Sequence, residues 1–246
     1  MLRFYTPADS KKSLSELYRI ESIRDYISSI ASLKIDARIL KEASSAHEDY
    51  AFAEQYICSH IETAQRIVFL GVFDLSKEAY FINKYPNKRF LVGDVSIAAI
   101  KDLPKEFKNV DIVQATFDDF KPEANDLVIA NIAEYFLTQR QLNDFISSFG
   151  DGPGGLILVN VHIYMPSIKN KIFWGIREVR AFIVNLLSVI TQQRQWQFRG
   201  WWRAIQDFSF VSKSTDKHLK AIIFNKNREG GATGLYAAMI HYESCN

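Results

Sequence analysis

Cysteine is nearly absent: Cys58 and Cys245 are the only two, and their spacing suits neither a metal knuckle nor a disulfide framework. A reducing, cytoplasmic compartment is the expected home. A dominant charge of one sign is lacking too, since the formal net charge is +2, so the chain as a whole makes no case for nucleic acid as a partner. Long apolar runs are missing. The longest, Ala181–Ile190, is broken by Asn185 and Ser188 and is too short to span a bilayer, and the opening MLRFYTPADSKK lacks the apolar stretch of a secretory signal. There is no serine nucleophile elbow, no HExxH and no phosphate-cradling GxxxxGK. His47, His60, His162, His218 and His241 are scattered, so no metal site is expected.

What is present is enough apolar residue, 48% of the chain, to bury one large core. Arg66–Ser96 is the most informative stretch. Ile67–Leu70 is a short apolar run bounded by Gly71, as a strand buried on both faces would be, and Ser76–Tyr85 has helix length. A second run, Phe90–Val92, ends at Gly93–Asp94, and in an open parallel sheet an acid there accepts hydrogen bonds from the ribose hydroxyls of a nucleotide-type ligand. Val110–Gln114, Asp126–Ala130 and Leu156–Val161 continue the pattern, each after a helix-capable segment, which predicts a doubly wound α/β sheet. Leu219–Asn225 and Leu235–Tyr242, joined by the turn-rich NKNREGGATG, predict a closing antiparallel hairpin.

The ordered set FLG (Phe69–Gly71), GDVS (Gly93–Ser96), VQATFDDF (Val113–Phe120), NDLVIANIAEYFL (Asn125–Leu137) and GPGGLILV (Gly152–Val159) resembles the class I, Rossmann-like S-adenosylmethionine-dependent methyltransferases. The resemblance implies a mostly parallel seven-stranded sheet with a terminal antiparallel hairpin, an N-terminal helical extension, and S-adenosylmethionine as methyl donor with S-adenosylhomocysteine as product. A division into a helical cap over 1–62 and a Rossmann-like domain over 63–246 follows. The acceptor is expected to be small or medium-sized, with an anionic one favoured by the charge described below.

By the same resemblance the cofactor set is Gly71 and Phe73 in the first loop, Asp94, Val95 and Ser96 at the second strand, Thr116, Phe117 and Asp118 beside the adenine, and Asn131 and Ile132 after the fourth strand. Thr116 stands where the family commonly has an acid. The first loop also departs from the family pattern of an acid followed by three alternating glycines. Only Gly71 is retained; Phe69 holds the acid position, and Phe73 and Leu75 hold those of the second and third glycines. Side chains there narrow the space above the loop. Two readings stay open: a methyltransferase that holds its cofactor in an altered way, and a methyltransferase-like binding or partner subunit without catalysis.

Methyl transfer is an in-line displacement, so alignment is the main task and a base is needed only if the acceptor must lose a proton. His162, after LILVN at the ligand-bearing end of the fifth strand, is the candidate base because histidine titrates near neutral pH. Glu134 and Tyr135, after the fourth strand, are candidates to touch donor or acceptor.

Two flanking regions complete the reading. Before the sheet, Leu14, Leu17, Ile20, Ile23, Ile27 and Ile30 form a helical stripe, and Tyr50, Ala53, Ile57 and Ile61 predict a second helix over Glu48–Ile61. After the fifth strand, Lys169, Lys171, Arg177, Arg180, Arg194, Arg199 and Arg203 face the single acid Glu178, interleaved with Phe173, Trp174, Trp196, Phe198, Trp201 and Trp202. Such a segment suits three partners: an anionic acceptor, a peripheral anionic membrane surface or single-stranded nucleic acid. Its plainer reading is that Arg177–Thr191 is a helix packed on the sheet with a basic outer face.

Overall fold

The computed structural model describes residues 36–72, 75–94, 97, 100–115, 120–123, 125–131, 145, 155–164, 168, 172, 176, 179, 183, 206–207, 219–230 and 235–243. In chain order the elements are α1 (Ala37–Lys41), α2 (Glu48–Ala51), α3 (Glu54–Thr63), β1 (Arg66–Leu70), α4 (Ala79–Lys84), β2 (Arg89–Asp94), a 3-10 turn at Leu103–Lys105, β3 (Val110–Gln114), β4 (Asp126–Asn131), β5 (Gly155–Tyr164), β6 (Gln206–Asp207), β7 (Leu219–Gly230) and β8 (Leu235–Glu243). The sheet runs β3-β2-β1-β4-β5-β8-β7, and the two-residue β6 pairs with the far end of β5. β1 to β5 are mutually parallel, while β8 lies antiparallel to both β5 and β7. Apart from the short β6, this is the seven-stranded, mostly parallel sheet with a closing hairpin that the resemblance implies.

The two-sided burial of the strands follows from their composition. Successive side chains of a strand point to opposite faces. In β1, Ile67 and Phe69 join Phe81, Phe90, Leu127, Ile129, Ile157 and Met239 on one face; Val68 and Leu70 join Val128, Ala130, Leu156, Leu158 and Ile240 on the other. A run apolar at every position is therefore required, which is why RIVFL and DLVIAN do not alternate. Leu40, Tyr50, Ile57 and Ile61 enter the first of these clusters, so α1 to α3 cover that face.

Three local differences from the sequence reading have physical causes. The helix expected over Glu48–Ile61 is two helices, because Ala53 leaves helical geometry (φ −124°, ψ 10°) between them; its apolar face still reaches the core, with Tyr50, Ala53, Ile57 and Ile61 all buried. α4 begins only at Ala79, since Leu75 at φ 63° turns the chain first. β5 runs on to Tyr164 instead of ending at Val161, because β8 and β6 both pair with its last residues.

Of Arg177–Thr191, expected to pack on the sheet, the structure describes Val179 and Ile183. Both are helical but 59% and 49% exposed. The helix expected around Leu14–Ile30 and the remaining basic and aromatic residues of that segment lie outside the described residues. No helix among the described residues is long and apolar enough to cross a membrane.

The edge of the sheet where β5 begins holds a histidine that fixes a pH dependence. His241 is 1% exposed; the Tyr56 hydroxyl lies 2.7 Å from its Nδ1, and its ring meets that of His60 edge-on at 4.5 Å. A Cβ on Gly155 would come within 2.8 Å of His241 Nε2, so only glycine lets the imidazole lie against the β5 backbone. Burial, then the nearby His60 and Lys220, push the His241 pKa down to about 4. The unfolded chain, at the ordinary value near 6.5, then binds more protons between those two pH values. The contribution is fully present above pH 6.5 and lost as the pH falls toward 4, up to about 3 kcal/mol at 1.36 kcal/mol per unit. Urea unfolding across this window should show a steeper pH slope for the wild type than for His241→Gln, and parallel slopes would refute the assignment.

Candidate functional site

The registers define the site. Leu70, the last residue of β1, pairs with Gly93 on one side and Ala130 on the other, so the next residue of each strand, Gly71, Asp94 and Asn131, stands at one level on the carboxyl edge of the sheet. With neighbouring strands about 4.8 Å apart, this row spans roughly 10 Å. Gly71 takes φ 71°, open to glycine without strain, and its N–H donates to the Gly93 carbonyl at 2.8 Å, tying the first loop to the end of β2. A Cβ on Gly93 would lie 2.6 Å from Leu70 Cδ2, so a larger residue there would have to displace the end of the Leu70 side chain. Asp94 is 8% exposed, and its carbonyl accepts from the Ala115 N–H at 3.1 Å, which fixes the start of the loop after β3.

Phe69 and Leu75 show what replaced the missing loop residues. Phe69 points into the helix-covered core, stacked on Phe90 at 5.8 Å and 2° and tilted against Phe81 at 6.2 Å. Leu75 keeps the left-handed backbone natural to the glycine whose place it takes (φ 63°), yet it is fully buried. Burial of its side chain offsets the backbone strain.

Beside the row lies a buried polar cluster with no single local sign in the sequence. Asp49, at the start of α2 and 3% exposed, reaches the ends of β4 and β5. Its Oδ2 meets Lys77 Nζ at 2.5 Å and accepts from Asn131 Nδ2 at 3.3 Å. Asn160 Nδ2 donates to the Asp49 carbonyl and to Asn131 Oδ1, both at 3.0 Å. His47 Nδ1 caps α2, accepting from the Asp49 N–H at 3.2 Å, and Tyr50 donates to Glu78 Oε1 at 2.7 Å. Burial, then the Glu78 and Asp49 charges, raise the Tyr50 pKa well above its usual value, so its hydroxyl stays a donor.

Asn160 is the outlier of this cluster. It is fully buried, adopts φ 55° where the β5–β8 register slips between Leu158 and Val161, and its Oδ1 has no hydrogen-bond partner among the described residues. A bulge and an unpaired buried acceptor are strain of a kind concentrated at functional sites. Asp49→Ala would leave Lys77 and Asn131 without their shared acceptor. The expected loss is about 2 kcal/mol, between the costs of breaking a buried and an exposed ion pair because the Lys77 side chain is 35% exposed. Chemical denaturation checks it, and a loss under about 0.5 kcal/mol would mean that the pair is solvent-screened.

Of the residues expected from sequence, Gly71, Asp94 and Asn131 come together on the carboxyl edge. Asn131 engages both ends of its amide in the Asp49–Asn160 cluster. His162 sits on β5 opposite Ala237, three residues past Val159, the partner of Asn131, so it lies on an extension roughly 10 Å beyond the edge of β4. Phe73, Val95, Ser96, Thr116, Phe117, Asp118, Ile132, Glu134 and Tyr135 lie outside the described residues.

No family model matches the sequence, and no curated protein is similar enough to count as a relative. Solved structures are similar in fold. Magnesium protoporphyrin IX methyltransferase from Synechocystis PCC 6803, with bound S-adenosyl-L-homocysteine, superposes with TM-score 0.54 at 9% identity over 93% of this chain and 97% of that one. The chain has the class I methyltransferase fold. Geranyl diphosphate C-methyltransferase from Streptomyces coelicolor A3(2), in complex with Mg2+, geranyl diphosphate and S-adenosyl-L-homocysteine, gives TM-score 0.52 at 10% identity over 92% and 98% of the two chains. An O-methyltransferase from neocarzinostatin biosynthesis, holding S-adenosyl-L-homocysteine and 1,4-dihydroxy-2-naphthoic acid, gives 0.54 at 9% identity; it covers 97% of this chain, which spans only 63% of its length. Within the methyltransferase fold, the row Gly71–Asp94–Asn131 occupies the carboxyl edge where open α/β sheets bind ligands.

Proposed function

We propose that the protein is an S-adenosylmethionine-dependent methyltransferase acting on a small or medium-sized acceptor. The observation that carries this reading is the alignment of Gly71, Asp94 and Asn131 at one level of a sheet with the methyltransferase strand order. The cofactor supplies an activated methyl group on a sulfonium sulfur. Asp94, at the end of β2, accepts from its ribose hydroxyls, and Gly71 allows close backbone approach. The carboxylate that the first loop lacks at Phe69 is replaced by Asp49, which takes the α-ammonium in exchange for Lys77. Asn131 and Asn160 hold Asp49 in place for this, and Asn160 Oδ1 offers a further acceptor. A base, where the acceptor needs one, comes from His162, with Glu134 and Tyr135 beside the acceptor. An anionic acceptor fits the basic residues after β5.

A second reading has its own support. Leu75, which stands at the position of the family's third glycine, holds φ 63° and packs into the helix-covered core, a departure from the family's first loop that favours a methyltransferase-like subunit without turnover. Calorimetric titration with S-adenosylmethionine and S-adenosylhomocysteine tests the first reading. Micromolar binding with a ligand-dependent rise in thermal midpoint supports it, because a ligand that binds only the folded state stabilises it. No heat and no shift with either compound would leave the second reading.

A further inference from the structure

Ile168, Ile172, Ile176, Val179 and Ile183 are each helical and are 80, 59, 65, 59 and 49% exposed. Their steps of four, four, three and four residues place them within an arc of about 80° on an α-helix. Such a stripe normally faces a core. Here it faces outward, and the other exposed large hydrophobic among the described residues, Ile39, stands alone on α1. The same stretch of sequence carries Lys169, Lys171, Arg177 and Arg180 against one acid, Glu178, so it is more positive than the whole chain at +2.

We infer that this stripe docks the protein on an anionic lipid surface, lying in the interface with its aliphatic side chains among the acyl chains and its basic residues at the headgroups. Three arguments choose this occupant. An amphipathic helix with aliphatic residues on one side and Lys and Arg elsewhere binds in the interfacial plane, driven by apolar burial and by attraction to anionic lipids. Long basic side chains extend along apolar surface to keep their charge at the polar boundary. Nucleic acid fits the charge but not a stripe of aliphatic side chains, because single strands are held by stacking on aromatic rings. The charged residues within the stretch suit a helix that rests on a bilayer and does not cross it.

The test is flotation of the full chain with vesicles of phosphatidylcholine alone and of phosphatidylcholine containing about 30% phosphatidylserine, at ionic strengths of about 0.1 and 1 M. The wild type is expected to float with the anionic vesicles only and to be released at high salt, where the screening length shrinks from about 10 to about 3 Å. Ile172→Glu/Ile176→Glu should lower the partition coefficient at least about tenfold. Lys169→Gln/Lys171→Gln/Arg180→Gln should lower it on the order of a hundredfold, at about fivefold per charge. Both variants should keep the wild-type thermal midpoint and S-adenosylhomocysteine titration, which separates this inference from the proposed activity. No flotation with anionic vesicles, or equal flotation with neutral ones, overturns it. So does a two-copy mass in sedimentation that Ile172→Glu/Ile176→Glu converts to one copy. A fall of several degrees in the midpoint of that variant would show the stripe covered by the chain's own residues and overturn it equally.

Discussion

Phe69→Ala is expected to cost about 3–5 kcal/mol, the range for truncating a fully buried aromatic side chain. The ring has no exposure and touches Phe90 face to face and Phe81 obliquely, while β1 holds it between β2 and β4. The cavity opens in the middle of the sheet, where neighbouring strands cannot move in to fill it. Urea denaturation reads the loss directly. Phe69→Asp, which restores the acid that class I methyltransferases carry there, should be worse, since it buries an unpaired carboxylate among aromatic rings. A Phe69→Asp protein of near wild-type stability with tightened cofactor binding would reverse the argument and make position 69 part of the site.

This explains why the first motif is hard to read from sequence and the rest of the sheet is not. The strands Ile67–Leu70, Val110–Gln114 and Asp126–Ala130 and the closing hairpin were legible because two-sided burial writes continuous apolar runs and turns write glycine, both local signals. β6, two residues pairing with Ile163 and Tyr164, has no such signal; only tertiary pairing makes it a strand. The break between α2 and α3 is hidden because the apolar period of Tyr50, Ala53, Ile57 and Ile61 runs straight through it.

The site divides the same way. Gly71 and Asp94 were legible as the punctuation that ends two buried strands. Asp49 was not, because an acid in the first turn of a helix is what the helix dipole favours anyway. Its carboxylate and carbonyl find partners 82 and 111 residues away. Asn160 did leave a trace, a lone amide within LILVNV, but which groups it serves depends on a bulge that periodicity does not encode.

Replacing Asp94 with Ala should abolish most cofactor affinity while leaving the fold in place. Hydrogen bonds to a charged group contribute about 1.5–3 kcal/mol each, so losing the ribose pair amounts to about 3–6 kcal/mol, or roughly two to four powers of ten in the dissociation constant for S-adenosylhomocysteine. Asp94→Asn separates charge from shape. Its amide keeps one acceptor and turns the other into a donor, so its affinity should fall between those of the wild type and the alanine variant. Asp94 is 8% exposed and ends a strand whose neighbours, Gly93 and Gln114, are fixed by backbone pairing, so thermal midpoints of both variants should be recorded beside the titrations. A folded Asp94→Ala protein that binds the ligand as tightly as the wild type would move the ribose off β2, and with it the orientation assumed for Asp49 and Asn131.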